Sequence, residues 1–277
     1  MNSLKLIKLE WLKYRHNKAI WLSLLGFVIV LLIIMLAYAQ MDVKMSSGPQ
    51  GGLIDLKKNI SFPEIWEFTG YIGGNWIGFF IVGFLGTYLM ATEIAQKTAR
   101  QQIISGLSRG QYLLSKLLFF RNIATILTIF YVVVVLFIGF TKSYDSVGEG
   151  IWLTMGWMAL RFFVMTMLYI FLGGLFGLLF KKTIMAFLFY LFYGIFLEPV
   201  IRWYIHPNFA PESWNRFYPM NAAEDLMPSP GQRISQFDEL LQDGSLYLTA
   251  NQALITSIVY LIIIFTLMYG LMQRKNV

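Results

Sequence analysis

"AIWLSLLGFVIVLLIIMLAYA", residues 19–39, holds no charged side chain. A helix needs about 20 mainly apolar residues to cross the hydrocarbon core of a bilayer, and this stretch supplies them. It lacks the strict alternation that a barrel strand would need. Five more stretches of the same kind follow, at residues 72–91, 117–140, 151–180, 183–201 and 253–272. The reading is an all-α, polytopic integral membrane protein with six transmembrane helices, one transmembrane domain covering residues 1–277. Composition agrees: 57% of residues are hydrophobic, 13% are charged, and the mean hydropathy is +0.60. A soluble domain of this length has no way to bury that much apolar surface.

The first stretch ends in "AYAQ", which offers a cleavage-like A-x-A pattern at residues 37–39. It is nevertheless longer than the apolar part of a signal peptide, and a basic head of residues 1–18 precedes it. It reads as a retained span. In that head, "MNSLKLIKLEWLKYRHNK", Leu4, Ile7, Trp11 and Tyr14 fall near one helical face. This suits an amphipathic helix lying in the membrane interface; the alternative is a plain basic flank.

Orientation follows the loop bases. Fourteen loop lysines and arginines fall on the N-terminal side and seven on the other, with acids distributed two against thirteen. Both termini and residues 93–116 are therefore expected in the cytoplasm. The net charge of +7 is explained by topology, and no nucleic-acid partner is needed. On the outer side, "FPEIWEFTG" offers Trp66 and Phe68 as interfacial anchors ahead of the second span. The short "KSYDSVGEG" is a turn, and residues 198–251 form the largest polar piece. Its tail, "QRISQFDELLQDGSLYLTANQ", reads as helical. Gly74–Gly78 and Gly173–Gly177 have the spacing of close helix contacts, a seam within a bundle or between two copies; the alternative is that glycine is simply frequent in membrane helices.

Catalytic patterns are missing. The chain has no phosphate-binding loop, no H-E-x-x-H pattern, no EF-hand and no cysteine. Its two histidines, His16 and His206, are expected on opposite sides of the membrane. An enzyme is disfavoured, and no cofactor or metal is expected. Two charges stand out near the apolar stretches. Arg161 lies inside the fourth, where an unpaired charge is costly; it either meets an acid or a wet cavity, or snorkels outward. Glu198 stands at the outer end of the fifth, one turn from Arg202, a pairing that would be structural.

Between the second and third spans runs "EIAQKTARQQIISGLSRGQYLLSK", residues 93–116. A polar helix, a Gly/Ser break and a second helix are expected, rigidly joined to both spans. With this layout the chain resembles the permeases of type-2 ABC transporters, in the exporter class. In those proteins a Glu at the end of the second span is followed by a Thr-containing step, then Ser-Arg, then a Lys in the third span. Glu93, Thr98, Ser108, Arg109 and Lys116 match, while Lys97 replaces a common Gly and Leu107 a common Pro. "FYPMNAAEDL" also resembles the family's outer segment before the last span.

The resemblance implies a partner set: two ABC ATPase subunits and a second permease, identical or paralogous. An outer-side partner protein is a further possibility within the family. It implies that residues 93–116 act as a coupling element, with Arg100 and Arg109 available to a partner's acids, and that ATP is hydrolysed on the other chain. It also implies the cell membrane, and for a bacterial protein the inner membrane. The rival readings, a secondary transporter or channel and a membrane-embedded enzyme, would need more buried polar groups or broken, repeated helices.

Overall fold

The computed structural model describes residues 3–40, 44–46, 53–55, 62–142, 151–180, 182–227 and 247–274. The expected "KSYDSVGEG" turn and most of the expected helical tail fall outside them. The chain begins with α1 (Ser3–Tyr14) and α2 (Lys18–Gln40), followed by an antiparallel pair of short strands, β1 (Lys44–Ser46) and β2 (Leu53–Asp55). Next come α3 (Phe62–Tyr71), α4 (Phe79–Ala95), α5 (Thr98–Ile104), α6 (Arg109–Lys142) and α7 (Ile151–Leu179). The fifth span joins α8 (Thr183–Phe192) to the single turn α9 (Glu198–Val200), and α10 (Pro219–Glu224) leads toward α11 (Ala250–Arg274).

Among the described residues, six helices are long and apolar enough to cross a membrane, as the sequence implies. They run Lys18–Ala37, Ile65–Ala95, Arg109–Thr141, Trp152–Leu179, Thr183–Asn208 and Ala250–Arg274. In the fourth, 72% of the most apolar window is buried, against 17% in the fifth and sixth. The fourth span is thus the centre of the bundle, and the last two present most of their surface outward. The third, with 33 residues, is about 50 Å long, beyond the roughly 30 Å of a hydrocarbon core. Its excess length carries polar groups that a lipid-buried helix would not tolerate.

The second span starts earlier than its apolar run. α3 continues through a π-helical segment, Ile72–Gly78, into α4, so "FPEIWEFTG" is helix and not loop. Trp66 is accordingly buried in protein instead of anchoring in lipid, its ring edge-on to Tyr131 at 5.5 Å. The widened π turns re-aim the helix. They point Asn75 at the outer segment, where its Nδ2 donates to the carbonyls of Glu224 (3.0 Å) and Met227 (3.1 Å).

The tightest packing joins α4 to α7, and glycines create it. A Cβ on Gly86 would collide with the Ile170 carbonyl, and one on Gly173 with the Gly83 carbonyl. At Gly177 the nearest atom would be the Thr87 carbonyl oxygen, 2.7 Å away. The Gly173–Gly177 spacing is therefore a seam within the bundle. Gly74 also faces α7, but there the space belongs to the end of the Met165 side chain and not to backbone. Small residues let two backbones approach and gain dispersion contact where lipid supplies no hydrophobic drive.

Gly86→Ala and Gly173→Ala should each lower thermal stability in detergent by about 1–3 kcal/mol, because backbone and not a mobile side chain opposes the new methyl. Gly26→Ala and Gly156→Ala, which meet no atom within 4 Å, should leave it unchanged or raise it slightly. Equal melting shifts in the two pairs would refute the seam.

Candidate functional site

Four charges converge where α1, the end of α4 and the start of α6 meet. Glu10, Glu93 and Lys116 are buried and Lys13 is partly so. Lys116 Nζ contacts Glu93 Oε1 and lies 2.5 Å from Glu10 Oε2. Lys13 Nζ lies 2.5 Å from Glu93 Oε1 and 3.1 Å from Glu10 Oε1. Two ammonium groups thus balance two carboxylates, which is the condition for keeping any of them charged away from water.

Hydroxyls fill the remaining lone pairs. Tyr14 donates to Glu93 Oε1 (2.5 Å), Tyr112 to Glu93 Oε2 (2.8 Å) and Ser115 to Glu10 Oε1 (3.1 Å). Lys116 also sits 4.8 Å from the centre of the Tyr14 ring. Burial alone would pull the Lys13 ammonium down, but Glu93 and Glu10 outweigh it and hold its pKa above the ordinary value. Burial, reinforced by the Glu93 charge, pushes the Tyr14 phenol up.

α1 supplies its share through one face. Leu6, Glu10 and Tyr14 recur every four residues and are buried, with α1 packed along α6. Trp11 and the neighbouring Leu9 and Leu12 are 45–46% exposed on the other side. Tyr14, grouped with Trp11 in the sequence reading, therefore turns toward protein. Sequence reasoning missed Glu10, Lys13 and Tyr112 as well. The one available signal was Glu10, the only acid among the bases of residues 1–18.

From this anchor α5 projects as a stiff elbow. Gln96 ends α4, and Lys97 takes a left-handed backbone with φ of 58°. This explains why Gly is common at the corresponding place in the resembled family, since a Cβ costs about 1–2 kcal/mol there. Thr98 starts α5 and donates to the Glu93 carbonyl (3.2 Å). Gly106, with φ of 107°, closes α5 in a Schellman turn: its N–H bonds to Ile103 O and that of Leu107 to Gln102 O. Ser108 then caps α6 reciprocally with Gln111, each backbone N–H donating to the other's side chain at 3.1 Å. Only Gly106 makes the turn; Gly110 already lies in the first turn of α6.

The exposed surface of the elbow carries Arg100, Gln101, Ser105 and Ile104, the last 76% exposed. Arg109 instead donates to the backbone carbonyl of Gln273, tying the elbow to the end of α11. Of the six residues singled out by the resemblance, Glu93 and Lys116 thus form the buried anchor and Thr98 and Ser108 shape the turns. Arg109 braces the C-terminal helix, and Arg100 faces solvent.

At the opposite end, Glu198 accepts the backbone N–H groups of Met220 (2.9 and 3.0 Å) and Asn221 (3.0 Å). It caps α10, whose first amides have no other partner. Arg202 turns its Nε–H to the Asn215 carbonyl at 2.9 Å, while its charge acts on Glu198 from one turn away. Asp225 accepts Leu248 N (2.8 Å) and Asn221 Nδ2 (2.9 Å), and burial holds its carboxyl up at about 6. Glu224 opens onto a groove of about 610 Å³ beside Asn75, Trp76, Phe79 and Ile195. Protein crowds the rest of it, and burial with the neighbouring Glu198 charge raises it to about 7. Arg161 is half-buried within reach of the Glu67 charge in α3.

A family model described as ABC-2 family transporter protein matches residues 6–197. That interval contains the whole anchor, the elbow and the first five spans up to Leu197. No curated protein matches the chain.

Lys116→Met removes one partner of a buried set and should destabilise the protein by about 3–5 kcal/mol, releasing α1 first. Hydrogen exchange over residues 3–14 checks this. Adding Glu93→Gln to Lys116→Met should recover part of the loss, because the two sites share one network; strict additivity would refute the coupling.

The outer carboxyls give a pH test. Asp225 and Glu224 are raised above 3.8 and 4.5, so the folded chain keeps protons that the unfolded chain releases. Their contribution to stability is full below about pH 4 and is lost as pH rises through 6 and 7. Thermal midpoints should show that decline in wild type and a flatter profile in Asp225→Asn. Identical profiles would count against it.

Proposed function

The chain belongs to the ABC-2 transporter family as a membrane-spanning permease component, and we propose that it converts ATP hydrolysis on a separate ATPase chain into export across the membrane. In this reading residues 93–116 are the coupling element, α5 and its Schellman turn sit against the ATPase, and two ATPases serve two permeases. Both termini lie in the cytoplasm, on the side that carries fourteen of the loop bases. The absence of a phosphate-binding loop from the sequence fits hydrolysis on the partner.

One observation carries the proposal: α5 is short, exposed and fixed at both ends. Its start hangs on the backbone carbonyl of Glu93, and its far end leads through Ser108 into a helix whose Lys116 returns to the side-chain carboxylate of that residue. A displacement of α5 therefore moves α4, α6 and α1 together. Interaction with the end of α11 through Arg109 extends the motion to the sixth span. Closure of the ATPases would do work by binding one arrangement of these helices better than the other. The groove at the outer end between the second and fifth spans supports an exit on that side. Arg161 and Glu67, near the outer end of the fourth and second spans, would hold that end together.

The test is docking. Arg100→Glu and Ile104→Asp alter the exposed face of α5 without touching the anchor, and each should weaken co-purification with the ATPase by about tenfold. Membrane insertion and melting temperature should be unchanged. Arg109→Glu should act differently, loosening α11 as well. A Cys at Ser105 should react with an impermeant reagent only in opened cells. Undiminished ATPase binding in both α5 variants would remove the coupling role.

A further inference from the structure

The bend between α1 and α2 and the flank of α6 enclose a second cavity, of about 300 Å³, far from the outer groove. Trp11, Trp21, Tyr14, Leu24, Phe119 and Ile123 make it almost wholly apolar. Its two indoles meet edge to face at 6.0 Å, and each is about half exposed. Asn122 and Thr125 add polar groups to the wall, and no carboxylate lines it among the described residues.

The rim is basic. Arg121 donates from Nη2 to Asn122 Oδ1 at 3.2 Å, which holds its guanidinium beside a wall residue. Trp21 donates its indole N–H to the Arg15 carbonyl at 2.7 Å, so the Arg15 backbone sits on the opposite lip. Lys18 follows at the start of α2, and all three bases are exposed. The cavity lies where the chain passes from α1 into the first span, the level at which indoles settle between hydrocarbon and headgroups.

We propose that this cavity is a binding site for an anionic phospholipid of the leaflet on which α1 lies. An acyl chain occupies the apolar interior, and Arg121 and Arg15 bind the headgroup phosphate. A guanidinium suits a phosphate geometrically as well as by charge. A zwitterionic choline headgroup would bring a second cation against three bases, so charge complementarity selects the anionic class. Tyr14 links the site to the buried anchor: its ring lines the cavity and stacks on Phe119 at 5.2 Å, while its hydroxyl donates to Glu93. Lipid occupancy would therefore brace α1 against α6.

Native mass spectrometry of the full chain, with phosphatidylglycerol and phosphatidylcholine offered in equal amounts, tests this. Wild type should retain phosphatidylglycerol preferentially. Arg15→Gln with Arg121→Gln should cut the preference about tenfold or more, whereas Arg100→Gln with Arg274→Gln should not. Thr125→Trp, which fills the cavity from its exposed lip, should reduce retention of both lipids. Equal retention of the two lipids by wild type would overturn the proposal. So would a preference that survives both the rim and the cavity variants, which would mean bulk attraction only. A change of oligomeric state in Thr125→Trp without any change in lipid retention would also overturn it and assign the cavity to a second copy of the chain.

Discussion

One carboxylate, that of Glu93, receives two ammonium groups and two phenols in a place where water scarcely reaches. Bringing such charges out of water costs several kcal/mol each, and their attraction repays it only when every partner is present. The gain in net stability is therefore modest, but the specificity is high. α1 can dock in one register only, because a shift of one residue would carry Glu10 off Lys116. The same requirement fixes how far α4 and α6 rise before they separate into the elbow. The geometry of the whole N-terminal face follows from this neutral set of four.

The spans were legible because the bilayer enforces a simple rule: about 20 apolar residues or none. Glu93 and Lys116 were legible as a pattern, though not as a pair, since their partners Glu10 and Lys13 lie about eighty to a hundred residues away. Periodicity sees one helix at a time and has no access to such contacts. The same limit put Trp66 at a lipid interface: a Trp before an apolar run is an anchor if the helix starts after it, and core if the helix starts before. α3 starts before. The Gly173–Gly177 spacing carried a contact but not its partner, which the collision of Gly173 with the Gly83 backbone supplies.

Lys97 shows a local rule broken and compensated. A Lys in the left-handed region is strained, yet the bond from Thr98 to the Glu93 carbonyl and the buried charges behind it over-determine the turn. The cost falls on a residue that lies between the anchor and the exposed helix. That is where stiffness is most useful, since a flexible link would absorb displacement instead of passing it on.

The π-helical segment at Ile72–Gly78 has a bearing on how the chain can change length. Each residue of an α-helix turns the side chains beyond it by about 100°. A deletion within α4 would thus swing Glu93 away from Lys116, or force the upstream half of the span to rotate. A wide turn already houses a surplus residue, and losing it merely restores α-helical bonding while both flanks keep their facing. The second span is in this sense spliced at its outer half. Sequence drift by insertion and deletion has a permitted site there, and the charged end of the same helix has none.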